Sequence, residues 1–307
     1  MSQNTLLYGN LKTTQYINLV RDLSWMNSKN HEHTDREGHV LGYICNVKIH
    51  SDTTAGLTFF TAPNSWKMRN AFRKWHAYRD LMFENAGVTE SEQGRYGKTI
   101  GPYLDASMKG CSIMDPSGWD LTSQTQEWSY TQIAAAPGFD QAAVGTEGAA
   151  AVDVYDLNIC GVNQATSTAL GTQYYTSVGM IHSYNQDRQE VVTPILDSQT
   201  IEGHNNPLAL LKQGGSVSGG EVMDIVEFQE LEAPPYDITD NGFSTSLVAQ
   251  DIMQINPGFD GTSSVPVQKS TQIFVPAGLL YLSTTSAAAN AALLIDVVGI
   301  VRCKDMA

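Results

Sequence analysis

Along most of the 307-residue chain, apolar side chains recur at every second position or in short unbroken runs, the spacing of strands. Residues 40–50 (VLGYICNVKIH) and 56–62 (GLTFFTA) are rich in β-branched and aromatic side chains and predict two strands. Further strands are predicted at 128–134, 150–160, 174–184, 190–195, 222–231, 246–255, 271–283 and 291–303. Several mix apolar with polar positions, as in the run VMDIVEF from Val222 to Phe228, which suits a sheet with one solvated face. The first 36 residues are mixed, with a short helix predicted over 15–26 (QYINLVRDLSWM). Residues 31–39 (HEHTDREGH) predict a polar loop.

One segment departs from the strand pattern. Met68, Ala71, Phe72, Trp75, Tyr78 and Met82 recur at spacings of three and four, which gathers them into one stripe on a helix over 64–86. Pro63-Asn64-Ser65 supplies capping residues before it and Gly87 a stop after it. Residues 206–213 (NPLALLKQ) predict one further helix with Pro207 in its first turn, and 214–220 (GGSVSGG) a turn or short linker. Residues 88–125 are turn-rich. Many strands, one long helix and no strand–helix alternation predict a mainly β, antiparallel sandwich or barrel rather than a doubly wound parallel sheet. The sequence Pro-Gly-Phe-Asp occurs at 137–140 and again at 257–260. Pro fixes one φ of a type II turn and Gly accepts the positive φ that follows, so reuse of a good turn explains the echo as well as duplication does.

Composition sharpens this. Only 16% of residues are charged, against about 25% in an ordinary soluble domain, while the apolar fraction of 42% is ample for a core. Surface poor in charge is surface suited to contact with neighbours, because interface cores are depleted of charge. The net charge of −14 is unevenly placed: residues 1–109 carry 13 basic and 10 acidic side chains, residues 110–307 only 5 basic and 22 acidic. An acidic, strand-rich remainder repels nucleic acid, which excludes a histone-like or nucleoprotein role. The beginning of the chain lacks the basic start and apolar run of a signal peptide. The most apolar stretch, 287–303, is interrupted by Asn290 and Asp296 and falls short of the ~20 residues of a membrane span. Cys45, Cys111, Cys160 and Cys303 are scattered, and no glycosylation sequon occurs, so free thiols in a protein made in cytoplasm are expected.

The candidate chemistry is sparse. Gly97-Lys98-Thr99 has the end of a phosphate-binding loop, but Glu92 stands where that loop needs its first Gly; a turn is the better account. His31, Glu32, His33, Asp35 and His39 offer metal-ligand atoms, yet the segment is polar and has no second cluster, so a solvated loop is favoured. Ser216 and Ser218 lie among glycines without a G-x-S-x-G frame. Asp197-Ser198 and Asp260-Gly261-Thr262 do not match aspartic-protease turns. Glu221, Asp224, Glu227, Glu230 and Glu232 could supply a carboxylate pair, though a solvated strand face is the commoner cause of such a run. No catalytic, cofactor or metal site is assigned, and the chain is expected not to be an enzyme.

The helix 64–86 carries the strongest candidate. Lys67, Arg69, Arg73, Lys74 and Arg79 place five of the 18 basic residues within 13 positions. They are candidate contacts to nucleic-acid phosphates or to the acidic surface of a neighbouring subunit; pairing within the chain is the plainer alternative.

The run from Phe60 to Asp105, FTAPNSWKMRNAFRKWHAYRDLMFENAGV and then GRYGKTIGPYLD, together with the strand-rich remainder, resembles the capsid proteins of small tailless DNA viruses. The segment QIFVPAGLLYL, from Gln272 to Leu282, is similar to a closing jelly-roll strand. The resemblance implies one elaborated jelly-roll coat domain over 1–307. A single roll with insertions is favoured over a double roll, which needs about sixteen strands against the ten to twelve that can be placed. It implies a virion protein, made in host cytoplasm, that forms an icosahedral shell with copies of itself and meets other virion proteins. Many single-stranded DNA virus coat proteins carry an Arg-rich arm, whereas residues 1–20 hold only Lys12. The genome would then be met by a folded surface such as helix 64–86, or screened by another protein or a membrane. Two other classes fit the composition: a carbohydrate-binding sandwich that uses Trp25, Trp119 and Trp128 as stacking platforms, and a spike or tail component of a virion.

Overall fold

The computed structural model describes residues 4–88, 99–111, 113–117, 128–135, 153–167, 173–189, 246–259, 264–285 and 288–303. The chain opens with β1 (Thr5–Leu11), β2 (Thr14–Asn18), α1 (Leu19–Asn27), β3 (Leu41–Ser51) and β4 (Ala55–Thr61). The long helix α2 (Trp66–Asn85) and the short α3 (Ala106–Gly110) follow. Next come β5 (Gln132–Ala135), β6 (Asp153–Asn158), β7 (Gln164–Ser167), β8 (Gln173–Gly179) and α4 (Met180–Gln189). The last strands are β9 (Val248–Ile255), β10 (Gly258–Phe259), β11 (Ser264–Val265), β12 (Val267–Pro276), β13 (Leu279–Thr284) and β14 (Ala288–Arg302).

The chain divides into two compact units. One comprises residues 1–64, 103–129 and 247–307, the other residues 65–102 and 130–246. The first unit holds two four-stranded antiparallel sheets, ordered β1-β14-β3-β12 and β2-β13-β4-β9. Leu6, Tyr8, Val47, Ile49, Leu293 and Ile295 from the first sheet share one buried cluster with Ile17, Leu57, Phe59, Leu280 and Leu282 from the second. The mainly β, antiparallel sandwich expected from the sequence is therefore present. Alternation fixes its register, since a one-residue slip would turn a whole inward row to solvent. β1 shows how closely this is held. Leu6 and Tyr8 point inward, and strict alternation would bury Asn10 next. A bulge with Asn10 at φ 56° resets the phase, so Leu11 is buried instead.

The second unit contains the four-stranded sheet β5-β6-β8-β7, in which β6 and β8 run parallel, together with α2 and α4 packed against one another. At the end of β8 the chain passes so close to its own backbone that a Cβ on Gly179 would lie 2.2 Å from the carbonyl oxygen of Gly161.

Several sequence expectations need correction. Residues 15–26 are not one helix. The stretch begins as β2 and turns helical at Asn18, whose side chain caps α1 by accepting from the Arg21 backbone N–H at 3.0 Å. Residues 271–283 are two strands in different sheets. Pro276 fixes φ and Ala277 takes a positive φ of 56°, making a corner closed by Gly278 N–H donating to Val275 O at 3.2 Å. The segment 272–282, read as a closing strand, spans that corner. Residues 174–184 are strand only to Gly179, after which α4 begins. β1 and α3 were not foreseen. The strands expected at 190–195 and 222–231, the helix at 206–213, the linker at 214–220 and the first Pro-Gly-Phe-Asp lie outside the described residues.

Candidate functional site

The helix predicted over 64–86 is α2. Ser65 caps it, its Oγ accepting from Met68 N–H at 3.2 Å, and Gly87 ends it with φ 71°. Met68, Ala71, Phe72, Trp75 and Tyr78 are buried as the stripe requires, whereas Met82 is exposed. The five cations meet different fates. Lys67 is buried, and Lys74 is paired with the carboxylate of Asp187, itself buried on α4. The Lys74 ammonium also lies 5.8 Å from the centre of the Tyr184 ring, and Asn70 donates to Tyr184 Oη at 3.4 Å. Arg79 reaches Asp80 at 3.0 Å, Arg69 is half-buried, and Arg73 is exposed. The cations therefore form no continuous exposed stripe. Lys74 in particular holds α2 against α4, a task in which its charge answers a buried carboxylate.

The histidine-rich segment is also divided. The structure brings Asp35, Glu37 and His39 together, their ligand atoms within 4.8 Å of one another. Arg302 answers this pair of carboxylates, its Nε 2.7 Å from Asp35 and its Nη1 3.6 Å from Glu37. His33 turns the other way into the interior. It is wholly buried and donates from Nδ1 to Ala277 O at 2.6 Å, with its ring edge-on to Trp128. Burial, opposed by that hydrogen bond, lowers its pKa to about 4.

His33 yields a signed pH prediction. Its folded pKa lies below the ordinary value of about 6.5, so the unfolded chain takes up the proton first on acidification. Its contribution is intact above pH 6.5 and is lost as the pH falls through 4, by up to about 3 kcal/mol. His33→Asn keeps a donor near Ala277 O but cannot titrate. The stability advantage of wild type over this variant, measured by urea unfolding, should shrink between pH 7 and pH 4. An advantage that stays constant over that range would show that His33 is not held neutral.

A second buried cluster was not foreseen. On α1, Arg21 Nε donates to Asp22 Oδ1 at 2.8 Å, and Tyr8 Oη donates to Asp22 Oδ2 at 2.6 Å. Arg21 Nη2 donates to Met114 O at 2.6 Å and meets Asp115 at 3.0 Å, while its guanidinium stacks 4.5 Å from the Trp25 ring. Met114 N–H donates to Tyr16 O and Ser117 N–H to Leu7 O. Arg21 thus fastens residues 113–117 to the strands of its own unit. A short helix carrying adjacent Arg and Asp among Leu19, Val20 and Leu23 was the available signal.

The tryptophans proposed as stacking platforms serve the interior where they are described. Trp25 underlies Arg21, Trp128 packs against the core cluster, and Trp119 is outside the described residues. So are Gly97, Lys98, Asp197, Ser198, Ser216, Ser218, the acidic run 221–232 and Asp260–Thr262. The four cysteines are free, three of them buried, and burial pushes the Cys45 thiol up to about 12. Among the described residues no helix is long and apolar enough to cross a membrane. No protein-family model, curated protein or solved structure matches the chain.

Proposed function

We propose that the two-sheet unit is a jelly roll and that the chain is the major coat protein of a small tailless DNA virus, assembling with copies of itself into an icosahedral shell around the genome. The order of strand pairing carries this reading. With the eight strands of the two sheets numbered in chain order, the first pairs with the eighth, the second with the seventh, the third with the sixth and the fourth with the fifth. Rolling one long antiparallel hairpin into two sheets generates that order, as double-sheet jelly rolls do. One such set supports a single roll with insertions. Apolar side chains left on strand surfaces, among them Leu7, Ile252, Val298, Ile300 and Val301, add support, since scarce charge and exposed apolar strand faces suit burial against neighbours.

On this reading the protein belongs in the virion, is made in host cytoplasm, and has further copies of itself and other virion proteins as partners. Genome contact through α2 falls mainly to Arg73 and Arg69, a small electrostatic contribution. The test is assembly. The expressed chain, examined by negative-stain microscopy and sedimentation velocity, should form closed shells or discrete oligomers of trimer or pentamer size. A monomer at every salt concentration and pH would overturn the reading, and retention of that monomer on a glycan column would assign it to carbohydrate binding.

A further inference from the structure

We infer that Lys74 and Asp187 are the reacting pair of an intramolecular isopeptide bond, an amide that joins α2 to α4 through their side chains. The Lys74 ammonium is in direct contact with the Asp187 carboxylate where the two helices pack together. The Asp187 side chain is only 1% exposed and that of Lys74 24%. Neighbouring contacts hold both groups in place. Tyr184 Oη accepts from Asn70 at 3.4 Å, and the Tyr184 ring stands edge-on to Trp66 with centres 6.2 Å apart. Asn70 and Lys74 lie one turn apart on α2, as Tyr184 and Asp187 do on α4, so the two contacts fix one register between the helices. Ser183 and Asn185 of α4 are buried as well.

These surroundings favour condensation of the pair. Burial penalises the charged forms, which helps a proton pass from Nζ to the carboxylate and leave an amine beside a carboxylic acid. The amine lone pair then attacks Cγ. The C–N bond forms, one C–O bond breaks, and the hydroxyl departs with a second Nζ proton as water. One amide and one water result, with no oxidant, reductant or cofactor. Contact held by two packed helices replaces the encounter of separate molecules, the advantage that speeds intramolecular reactions. The amide is neutral, whereas the ion pair bears the desolvation cost of two charges. The partly exposed lysine side gives the water its exit. Residues 74–187 thereby become one covalent loop, which restricts the unfolded chain. The inference rests on α2 and α4 alone and is independent of the shell reading.

The experiment is intact mass spectrometry of the purified full chain in denaturant. The main species should be lighter than the sequence mass by one water molecule, and should run ahead of Lys74→Arg in a denaturing gel. Tandem spectra of a tryptic digest should contain residues 74–79 joined through Lys74 to the peptide that ends at Arg188. Lys74→Arg keeps the charge but cannot form this amide, and Asp187→Ala removes the carboxyl group, so both should have the full mass. The branched peptide is read from the wild-type chain, so the test stands even where a variant folds poorly. A wild-type chain of full mass would overturn the bond. So would a water deficit that persists in Lys74→Arg, the mark of a succinimide elsewhere in the backbone.

Discussion

Replacing Arg21 by alanine lowers the stability of the chain by about 3–5 kcal/mol at neutral pH, the cost of leaving a buried charge without its partner. The stranded group is Asp22, which has no solvent exposure and keeps only the Tyr8 hydroxyl once the guanidinium is gone. In the intact protein, burial is the largest influence on Asp22 and raises its pKa to about 6, with Arg21 and the Tyr8 hydrogen bond opposing the rise. A folded pKa above the unfolded one means that the Asp22 contribution is fully present below about pH 4 and is lost as the pH rises through 6. Removing Arg21 lifts that pKa further and extends the loss to higher pH. The deficit of Arg21→Ala should therefore be largest at pH 7.5 and shrink towards pH 5, where Asp22 protonates. His33 titrates in both proteins and cancels in the difference. A deficit independent of pH would reduce Arg21 to a packing element over Trp25.

Gly278→Val should cost about 2–5 kcal/mol, combining backbone strain of about 1–2 kcal/mol with overpacking of about 1–3 kcal/mol. Gly278 has φ 68°, where a branched side chain is least tolerated, and a Cβ there would sit 2.7 Å from Val20 Cγ2 and 3.0 Å from Tyr43 Cε2. The position cannot yield easily, because its surroundings tie four segments together. Leu19 N–H donates to Gly278 O at 2.9 Å, Ala277 N–H donates to Leu41 O at 2.8 Å, and His33 donates to Ala277 O. Gly278→Ala should cost less than Gly278→Val, and urea midpoints measure both. A valine variant within 1 kcal/mol of wild type would mean that the corner relaxes freely, contrary to the crowding described.

The elements legible in the sequence are those whose periodicity is unbroken. β3, β4, β14 and α2 repeat every two residues or every three to four over long stretches, and their bounds lie within a few residues of expectation. β1 escaped notice because the Asn10 bulge breaks its alternation, and β2 because it runs into α1 with no Gly or Pro between them. The corner at 276–278 was hidden for a different reason: an alanine, not a glycine, takes the first positive φ, so the apolar run looked continuous. Pairing order could not be read at all, since nothing in an alternating strand names its partner. The cations of α2 were plain in composition, but the partner of Lys74 lies on a helix more than a hundred residues later.

β4 and β9 lie side by side in one sheet although residues 62–247 separate them, and that excursion contains the entire second unit. Loop closure grows only logarithmically with length, so lengthening a tight turn to about 190 residues costs about 3 kcal/mol. An excursion that folds on itself brings its own ends closer and reduces even that. Residues 103–129 return to the first unit and are held there, but the neighbouring strands place little constraint on the length of the second unit itself. Sequence and length in the inserted unit can diverge between relatives while the eight paired strands keep their order, and lineages of this protein should differ most where the sheet is least able to object.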